Sequence, residues 1–201
     1  GLVKGNGTSA FTAATAGTDY LAPPSGTSIL KANSGGALAN ATAGTDYVAP
    51  GTATTFTAQQ TFSGTSSNLA TKIINTAEAV TVSATAATGT INFDVTTQSV
   101  LYYTSNSTAN WTLNFRASSG TSLNTALNTG ESVTVVFMAT NGSTAYYAST
   151  IQIDGSTVTP KWIFGSSPSS GNASSIDAYT FTIIKTGSAT YTVLASQIKY
   201  A

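Results

Sequence analysis

Alternation of apolar and polar residues is clearest in the second half of the chain. Residues 91–95 read Ile-Asn-Phe-Asp-Val and residues 111–115 read Trp-Thr-Leu-Asn-Phe. This period of two indicates strands with one buried face and one polar face. Residues 79–83 alternate in the same way, and residues 100–103 are a further strand candidate. Because no stretch has a helical period, we expect very little helix.

Turn residues between apolar runs predict two hairpins. The hairpins join residues 132–138 to 145–153 and residues 180–185 to 190–194. Asn141 and Gly142 lie in the first connection, and Asn-Gly between apolar runs favours a type I′ turn. Gly187 lies in the second connection.

Between these hairpins, Asp154 and Gly155 predict another turn, residues 161–164 a short strand, and residues 165–175 an exposed loop rich in Gly, Pro and Ser. Several short strands at this spacing predict an antiparallel β-sandwich or jelly-roll-like domain. The expected fold class is therefore all-β.

The first third of the chain contains a duplication. Residues 4–23 and residues 31–50 are offset by 27 residues and share the heptapeptide Ala-Thr-Ala-Gly-Thr-Asp-Tyr. A repeat with so few apolar residues cannot bury a core alone, so it must pack on copies of itself or on neighbouring chains. We interpret the segment as extended, low-complexity, fibrous repeats packed around a threefold axis. A flexible linker that happens to be duplicated is the alternative.

Composition changes along the chain predict three parts. Residues 1–64 form a repeat segment that serves as a fibre shaft or attachment segment, residues 65–90 a connecting β segment, and residues 91–201 the C-terminal β-sandwich domain. The chain opens with Gly-Leu-Val and not with Met, so we expect a fragment, a processed product or the ordered part of a longer protein.

Charge is scarce and balanced. Seven basic and seven acidic residues make up 7% of the chain, whereas ordinary soluble domains have about 25%. With no net charge, there is no electrostatic reason to expect nucleic acid as a partner. No apolar run reaches the roughly 18 residues of a membrane-spanning helix, so we expect no membrane insertion.

Catalytic chemistry has few candidates. The chain contains no His and no Cys, which removes the usual general base and any thiolate nucleophile. Paired carboxylates could hydrolyse a glycosidic bond, and the candidates are Asp94, Glu131, Asp154 and Asp177. Only Asp94 lies within a predicted strand. We expect no enzyme, no catalytic residue, no cofactor and no metal site.

Aromatic residues are the more informative set. Tyr102 and Tyr103 are adjacent, as are Tyr146 and Tyr147, and neighbouring residues in a strand point to opposite faces. One member of each pair should therefore face away from the core. An outward Tyr can bind sugar or protein, or can pack across a subunit interface. Tyr102, Tyr103, Tyr146, Tyr147 and Trp162 are the candidate ligand or interface aromatics, with packing in a core or interface favoured over direct ligand contact.

Three stretches carry a family resemblance. They are ATAGTDYLAP at 14–23, ATAGTDYVAPGTATTFTAQQTFSG at 41–64 and GTINFDVTTQSVLYYTSNSTANWTLNFR at 89–116. The chain resembles the tail-fibre and related virion appendage proteins of bacteriophages, in particular those of marine and cyanobacterial phages. The resemblance implies a homotrimer in the virion. Its N-terminal part would contact other virion proteins, and its C-terminal domain would adsorb to glycans or proteins of the host surface.

Three functions follow as hypotheses. The first is a structural tail-fibre segment that projects a β-domain for host adsorption. The second is a capsid or neck decoration protein that stabilises the particle. The third is a host polysaccharide depolymerase, for which Asp94 or Asp177 would be required.

Overall fold

The computed structural model describes residues 3–7, 9–15, 29–32, 38–41, 56, 59–67, 71, 73–74 and 76–201. The chain divides into two compact units, Gly1–Lys72 and Ile73–Ala201. The boundary between the units falls inside the predicted connecting segment of residues 65–90. The limits of the three predicted parts otherwise stay a prediction.

The described residues of the first unit form two short antiparallel hairpins. Strand β1 (Val3–Asn6) pairs with β2 (Ser9–Ala13), and β3 (Leu30–Ala32) pairs with β4 (Leu38–Asn40). Gly7 connects β1 to β2 with a φ of 64°, a conformation that glycine adopts without strain.

The two hairpins have equivalent pairing at their open ends, at the offset of the duplication. Val3 pairs with Ala13 as Leu30 pairs with Asn40, and each of these positions differs from its counterpart by 27 residues. The duplicated sequence thus forms duplicated local structure. Apart from Ala14, Thr15 and Ala41, the shared heptapeptides lie outside the described residues.

The second unit is predominantly β. They are β5 (Val80–Ala86), β6 (Gly89–Asp94), β7 (Val100–Asn106), β8 (Trp111–Arg116), β9 (Ser132–Thr140), β10 (Ala148–Ile153), β11 (Ser156–Val158), β12 (Lys161–Trp162), β13 (Ile176–Gly187) and β14 (Thr190–Tyr200). Helix α1 (Leu123–Ala126) and a 3-10 turn (Ile163–Gly165) are the helical elements within residues 76–201. The expectation of a predominantly β chain with very little helix is confirmed.

Two sheets hold these strands. The six-stranded sheet has the order β12-β14-β13-β9-β7-β5, and the four-stranded sheet has the order β11-β10-β8-β6. From β5 to β10 the chain changes sheet after every strand. Each sheet therefore receives alternate strands, and three successive pairs, β5–β6, β7–β8 and β9–β10, form three stacked rungs.

Stacking of rungs makes neighbouring strands parallel. Five pairs of the second unit are parallel (β5–β7, β7–β9, β6–β8, β8–β10 and β12–β14), and three are antiparallel (β9–β13, β13–β14 and β10–β11). The predicted antiparallel arrangement is therefore wrong for most of this unit. Alternation of apolar and polar residues reports one buried face of a strand, and it is the same for either strand direction.

The first predicted hairpin is also wrong. Strand β9 lies in the six-stranded sheet and β10 in the four-stranded sheet, and residues 141–147 cross between them. Neither Asn141 nor Gly142 adopts the positive φ that a type I′ turn requires. Asn141 is instead buried, and its side-chain Nδ2 donates to the carbonyl of Tyr146 at 3.0 Å. The asparagine amide fixes a crossing, not a tight turn.

Two other predicted turns are present. Strands β13 and β14 form a long hairpin that pairs Ile176 with Tyr200 at one end and Gly187 with Thr190 at the other. Asp154 joins β10 to β11 together with Gly155, and both residues have positive φ. The predicted short strand at residues 161–164 is present only as β12, because a 3-10 turn follows it directly.

Aromatic side chains connect the two sheets through one core. Trp111 of β8 contacts Phe137 of β9 and Tyr179 of β13, with ring centroids 5.9 and 6.0 Å apart. Phe115 of β8 lies 4.9 Å from Phe181 of β13. All five side chains are essentially inaccessible to solvent. Edge-on and tilted contacts of this kind add to the stabilisation that burial of aromatic surface provides.

Candidate functional site

A groove of about 330 Å³ brings two of the predicted aromatics together. We call it the aromatic groove. It is lined by Tyr147, Ala148, Ser149, Thr150, Ile151, Thr157, Val158, Thr159, Pro160, Trp162, Ser167 and Pro168. Strands β10 and β11, the short strand β12 and the loop after the 3-10 turn supply its walls.

Packing against the core fixes Trp162. Strand β12 runs parallel to β14, and Trp162 pairs with Ala195. The indole ring meets Phe181 edge-on, with the centroids 5.9 Å apart, and it is only half-buried. Part of the ring therefore packs against Phe181, and the rest remains accessible to a ligand.

Backbone hydrogen bonds fix Tyr147 at the groove. Its N–H donates to Oδ1 of Asn110 at 3.1 Å, and its carbonyl accepts the N–H of Trp111 at 3.2 Å. These bonds tie the crossing segment 141–147 to the corner before β8. The Tyr147 side chain packs against the core and is half-buried.

Hydroxyl-bearing side chains line the groove together with the two aromatic residues. Ser149 lies at an irregularity between Ala148 and Thr150, and its Oγ donates to the carbonyl of Trp111 at 3.3 Å. Thr157 of β11 pairs with Gln152 of β10. None of the groove's lining residues is charged. This combination can stack on an apolar ring face and exchange hydrogen bonds with ligand hydroxyls.

The remaining predicted aromatics lie elsewhere. Tyr103 points into the core, where it meets Phe137 edge-on at 5.5 Å, and burial raises the pKa of its phenol. Tyr102 points to the other side of the six-stranded sheet and accepts a hydrogen bond from Oγ1 of Thr140 at 3.4 Å. Neither residue lines the aromatic groove.

Tyr146 and Tyr147 precede β10, which begins at Ala148, so the expectation that they belong to a strand is wrong. The N–H of Tyr146 donates to Oδ1 of Asn141 at 3.3 Å, and its ring packs against the core. The sequence could not show these positions, because residues 141–147 have the sequence of a hairpin turn. In the structure they cross between the two sheets, and the crossing brings Asn141 to Tyr146.

Three of the candidate carboxylates have local structural partners. Asp94 faces Arg116 across β6 and β8, with Oδ1 2.5 Å from Nε, and this hydrogen bond raises the pKa of Arg116. Asp154 accepts the N–H groups of Leu123 and Asn124 at the start of α1, at 2.7 and 3.0 Å.

The third carboxylate is Glu131, which accepts the backbone N–H of Asn128 at 2.8 Å and its side-chain Nδ2 at 3.1 Å. These bonds to Asn128 lower the pKa of Glu131. The carboxylate therefore closes the turn before β9.

Asp177 is the buried carboxylate. Its Oδ2 accepts hydrogen bonds from Asn141 Nδ2 at 3.1 Å, from the Asn172 N–H at 3.0 Å and from Gln197 Nε2 at 3.3 Å. Its Oδ1 is buried and has no hydrogen-bond partner. Burial raises the pKa of Asp177, and the hydrogen bonds from Asn172 and Gln197 oppose that shift.

Sequence reasoning missed this carboxyl as an anchor for the loop before β13. The available signal was an Asp at an inward position of an alternating strand. Gly171 is buried against it, although the sequence predicts an exposed loop at residues 165–175. A Cβ on Gly171 would lie 2.1 Å from the Tyr146 carbonyl oxygen and 2.6 Å from Oδ2 of Asp177. Only glycine fits at this point.

Across the residues that the structure describes, no cluster of three or more His, Cys, Asp or Glu residues could hold a metal ion. In the same part of the chain, no helix is long and apolar enough to cross a membrane. Comparison of the chain with protein-family models, with curated proteins and with solved structures found no match.

Proposed function

We propose that this chain is a structural segment of a bacteriophage tail fibre or similar virion appendage. In this proposal it forms a homotrimer, attaches to other virion proteins through residues 1–64, and presents the unit Ile73–Ala201 to the host surface. The aromatic groove adsorbs to a host glycan there. The observation that carries the proposal is the pairing of Tyr147 and Trp162 in a groove lined by hydroxyl groups and free of charge.

The groove suits a neutral sugar for two reasons. The C–H face of a pyranose ring is apolar and can stack on an indole or phenol ring, as apolar groups do on aromatic side chains. Ser149, Thr157 and Ser167 also line the groove, and their hydroxyl groups can exchange hydrogen bonds with sugar hydroxyls. Such a site is weak alone, but three linked copies gain affinity through effective concentration.

The duplicated hairpins support the attachment role. Two hairpins with equivalent pairing at a spacing of 27 residues are typical of repeats that stack on copies of themselves. A segment of this kind extends a domain away from its point of attachment.

Binding of the full chain to an array of bacterial capsule and lipopolysaccharide glycans tests the groove. We expect Trp162→Ala and Tyr147→Ala each to weaken binding about tenfold, which corresponds to about 1.4 kcal/mol. Phe164→Ala is the matched control, because Phe164 is 96% exposed and does not line the groove. Unchanged binding by both groove variants would contradict the proposal.

Immunogold electron microscopy of virions, with antibodies raised against the chain, tests the location. Label at the tail supports the appendage. Label distributed over the head or neck would instead support a decoration protein. Release of reducing ends from host polysaccharide, with loss of release in Asp94→Ala or Asp177→Ala, would indicate the depolymerase.

A further inference from the structure

The valines of strand β5 lie on the side of the sheet that faces away from the core. Thr81 pairs with Leu101, which is buried, so Thr81 and Ser83 are on the core side of the strand. Val80 and Val82 are on the opposite side and are 53% and 64% exposed. A strand whose alternation is set by one buried face puts its apolar residues on that face. The pattern of β5 therefore fits a sheet whose outer side is also covered.

The core side of β5 is closed by polar contacts. Oγ1 of Thr81 donates to Oε1 of Gln98 at 3.0 Å, and Gln98 is buried. The threonine thus ends the core at this edge. Val80 and Val82, in contrast, have apolar side chains that cannot form such a hydrogen bond.

The valines of β5 continue into rows of side chains across the outer side of the six-stranded sheet. We call these rows the outer face. They are Val80, Val100, Val136, Thr180 and Ser196; Val82, Tyr102, Met138, Ala178 and Ile198; and Thr140, Ile176 and Tyr200. Thirteen side chains from five strands thus form one continuous surface, and none of them is charged.

The outer face is large for an exposed apolar surface. Thirteen side chains, one for every two residues of about 3.3 Å along strands about 4.8 Å apart, cover a flat area of about 410 Å². This lies within the range of the largest patches that monomers expose, about 300–600 Å². It is about half of the roughly 800 Å² per partner that a specific interface of standard size buries.

The chemistry of the outer face favours a second copy of the chain as its partner. A surface without charge meets an identical surface without any repulsion between like charges, whereas a charged partner would find no opposite charge to pair with. A shallow depression of about 450 Å³ between Met138, Ala178, Ile198 and Tyr200 can receive apolar side chains. The exposed residues Val82 and Ile198 are apolar side chains of the required kind.

We propose that the outer face is a self-association surface, at which copies of this chain pack the six-stranded sheet of one protomer against that of the next. Val80 and Val82 of β5 belong to this contact. The self-association surface itself does not depend on the proposed appendage. Only the expected number of copies, three, rests on that proposal.

Light scattering on the full chain during size exclusion tests the contact. We expect the wild type to have a mass that is a multiple of 20.3 kDa, and Val82→Glu and Ile198→Glu to fall to 20.3 kDa. Thr90→Glu is the matched control, because Thr90 is an exposed residue of β6 in the other sheet, and it should keep the wild-type mass. Wild-type mass in both outer-face variants, or a wild type that is monomeric throughout, would overturn the inference.

Single cysteines test the same contact without a charge that could disturb folding. The chain has no cysteine, so Ile198→Cys and Thr90→Cys each introduce a unique thiol. In the assembly, maleimide should label the thiol at position 198 more slowly than the thiol at position 90. Equal labelling would overturn the inference, as would slow labelling at position 198 in a chain that light scattering finds monomeric. The location found by immunogold microscopy is independent of both results.

Discussion

At the scale of single residues, Asp177 has the most informative chemistry. A carboxyl whose pKa is raised by burial is favoured in its protonated form by the fold. Its contribution to stability is therefore fully present below the usual pKa of an aspartate and is lost as the pH rises through the raised value in the folded protein.

We expect the variant Asp177→Asn to lack this pH dependence. As the pH rises above the usual pKa of an aspartate, the wild type should lose stability relative to the variant, because only the wild type then gains a buried negative charge. Urea denaturation of both proteins over a pH series measures the difference. Glu131 is present in both proteins, so the opposite pH dependence that its lowered pKa causes cancels in the comparison. Parallel curves for the two proteins would contradict the assignment.

Gly171 gives a second prediction at this scale. Gly171→Ala should cost about 1–3 kcal/mol, because the added methyl group overlaps a backbone oxygen that cannot easily move. Gly120→Ala is the control: no atom lies within 4 Å of its would-be Cβ, and its stability should change little. Thermal unfolding of both variants provides the measurement. Equal stability of the two would show that the loop is not held as described.

At the scale of elements, α1 depends on a residue that is remote in sequence. Asp154 accepts two N–H groups at its start, and Lys185 donates to the carbonyls of Asn124 and Leu127 at 2.5 and 2.8 Å. A four-residue helix is too short to be stable alone. Its ends are therefore held by the turn between β10 and β11 and by β13.

Asp154→Ala should destabilise the second unit by about 1–3 kcal/mol, because two backbone donors lose a charged acceptor. Asp154→Asn should cost less, since its amide oxygen can still accept one bond and asparagine tolerates the positive φ at this position. Chemical denaturation ranks the two variants. The reverse order would contradict the role of the carboxylate.

Elements could be predicted from the sequence, but their partners could not. The alternation at residues 91–95 and 111–115 located β6 and β8 correctly. It could not show that the two strands are parallel neighbours, because alternation carries no information on direction. The Asn-Gly pair failed for a related reason: its turn preference is weaker than the buried bonds that Asn141 makes across a crossing.

The aromatic groove could be predicted only in part. Trp162 and Tyr147 were both candidates, but their meeting depends on the placement of β12 beside β14 and of the crossing segment beside β8. Those contacts link residues far apart in the chain. The alternation of apolar and polar residues in β5 was visible in the sequence. It did not show that the apolar side chains face away from the core.

At the scale of the second unit as a whole, the shared core makes the two sheets depend on each other. Phe181→Ala should cost about 3–5 kcal/mol, because it leaves a cavity between Phe115 and Trp162. Both sheets should then lose hydrogen-exchange protection in one transition. Phe164→Ala removes the same group from an exposed position and should be nearly neutral. Separate transitions for the two sheets would show that the core is not shared.

The stacked rungs allow this unit to change length by modular growth. One strand of each sheet, with the corner between them, is the unit of growth, because β6, β8 and β10 align residue for residue at Ile91, Leu113 and Ile151. Tandem duplication of residues 89–110 would insert one more layer, about 4.8 Å thick, without altering the closing hairpin of β13 and β14. A crystal structure of such a variant should contain seven strands in the larger sheet and five in the smaller one. Domains of graded height could then arise from one ancestral gene by small internal copying events.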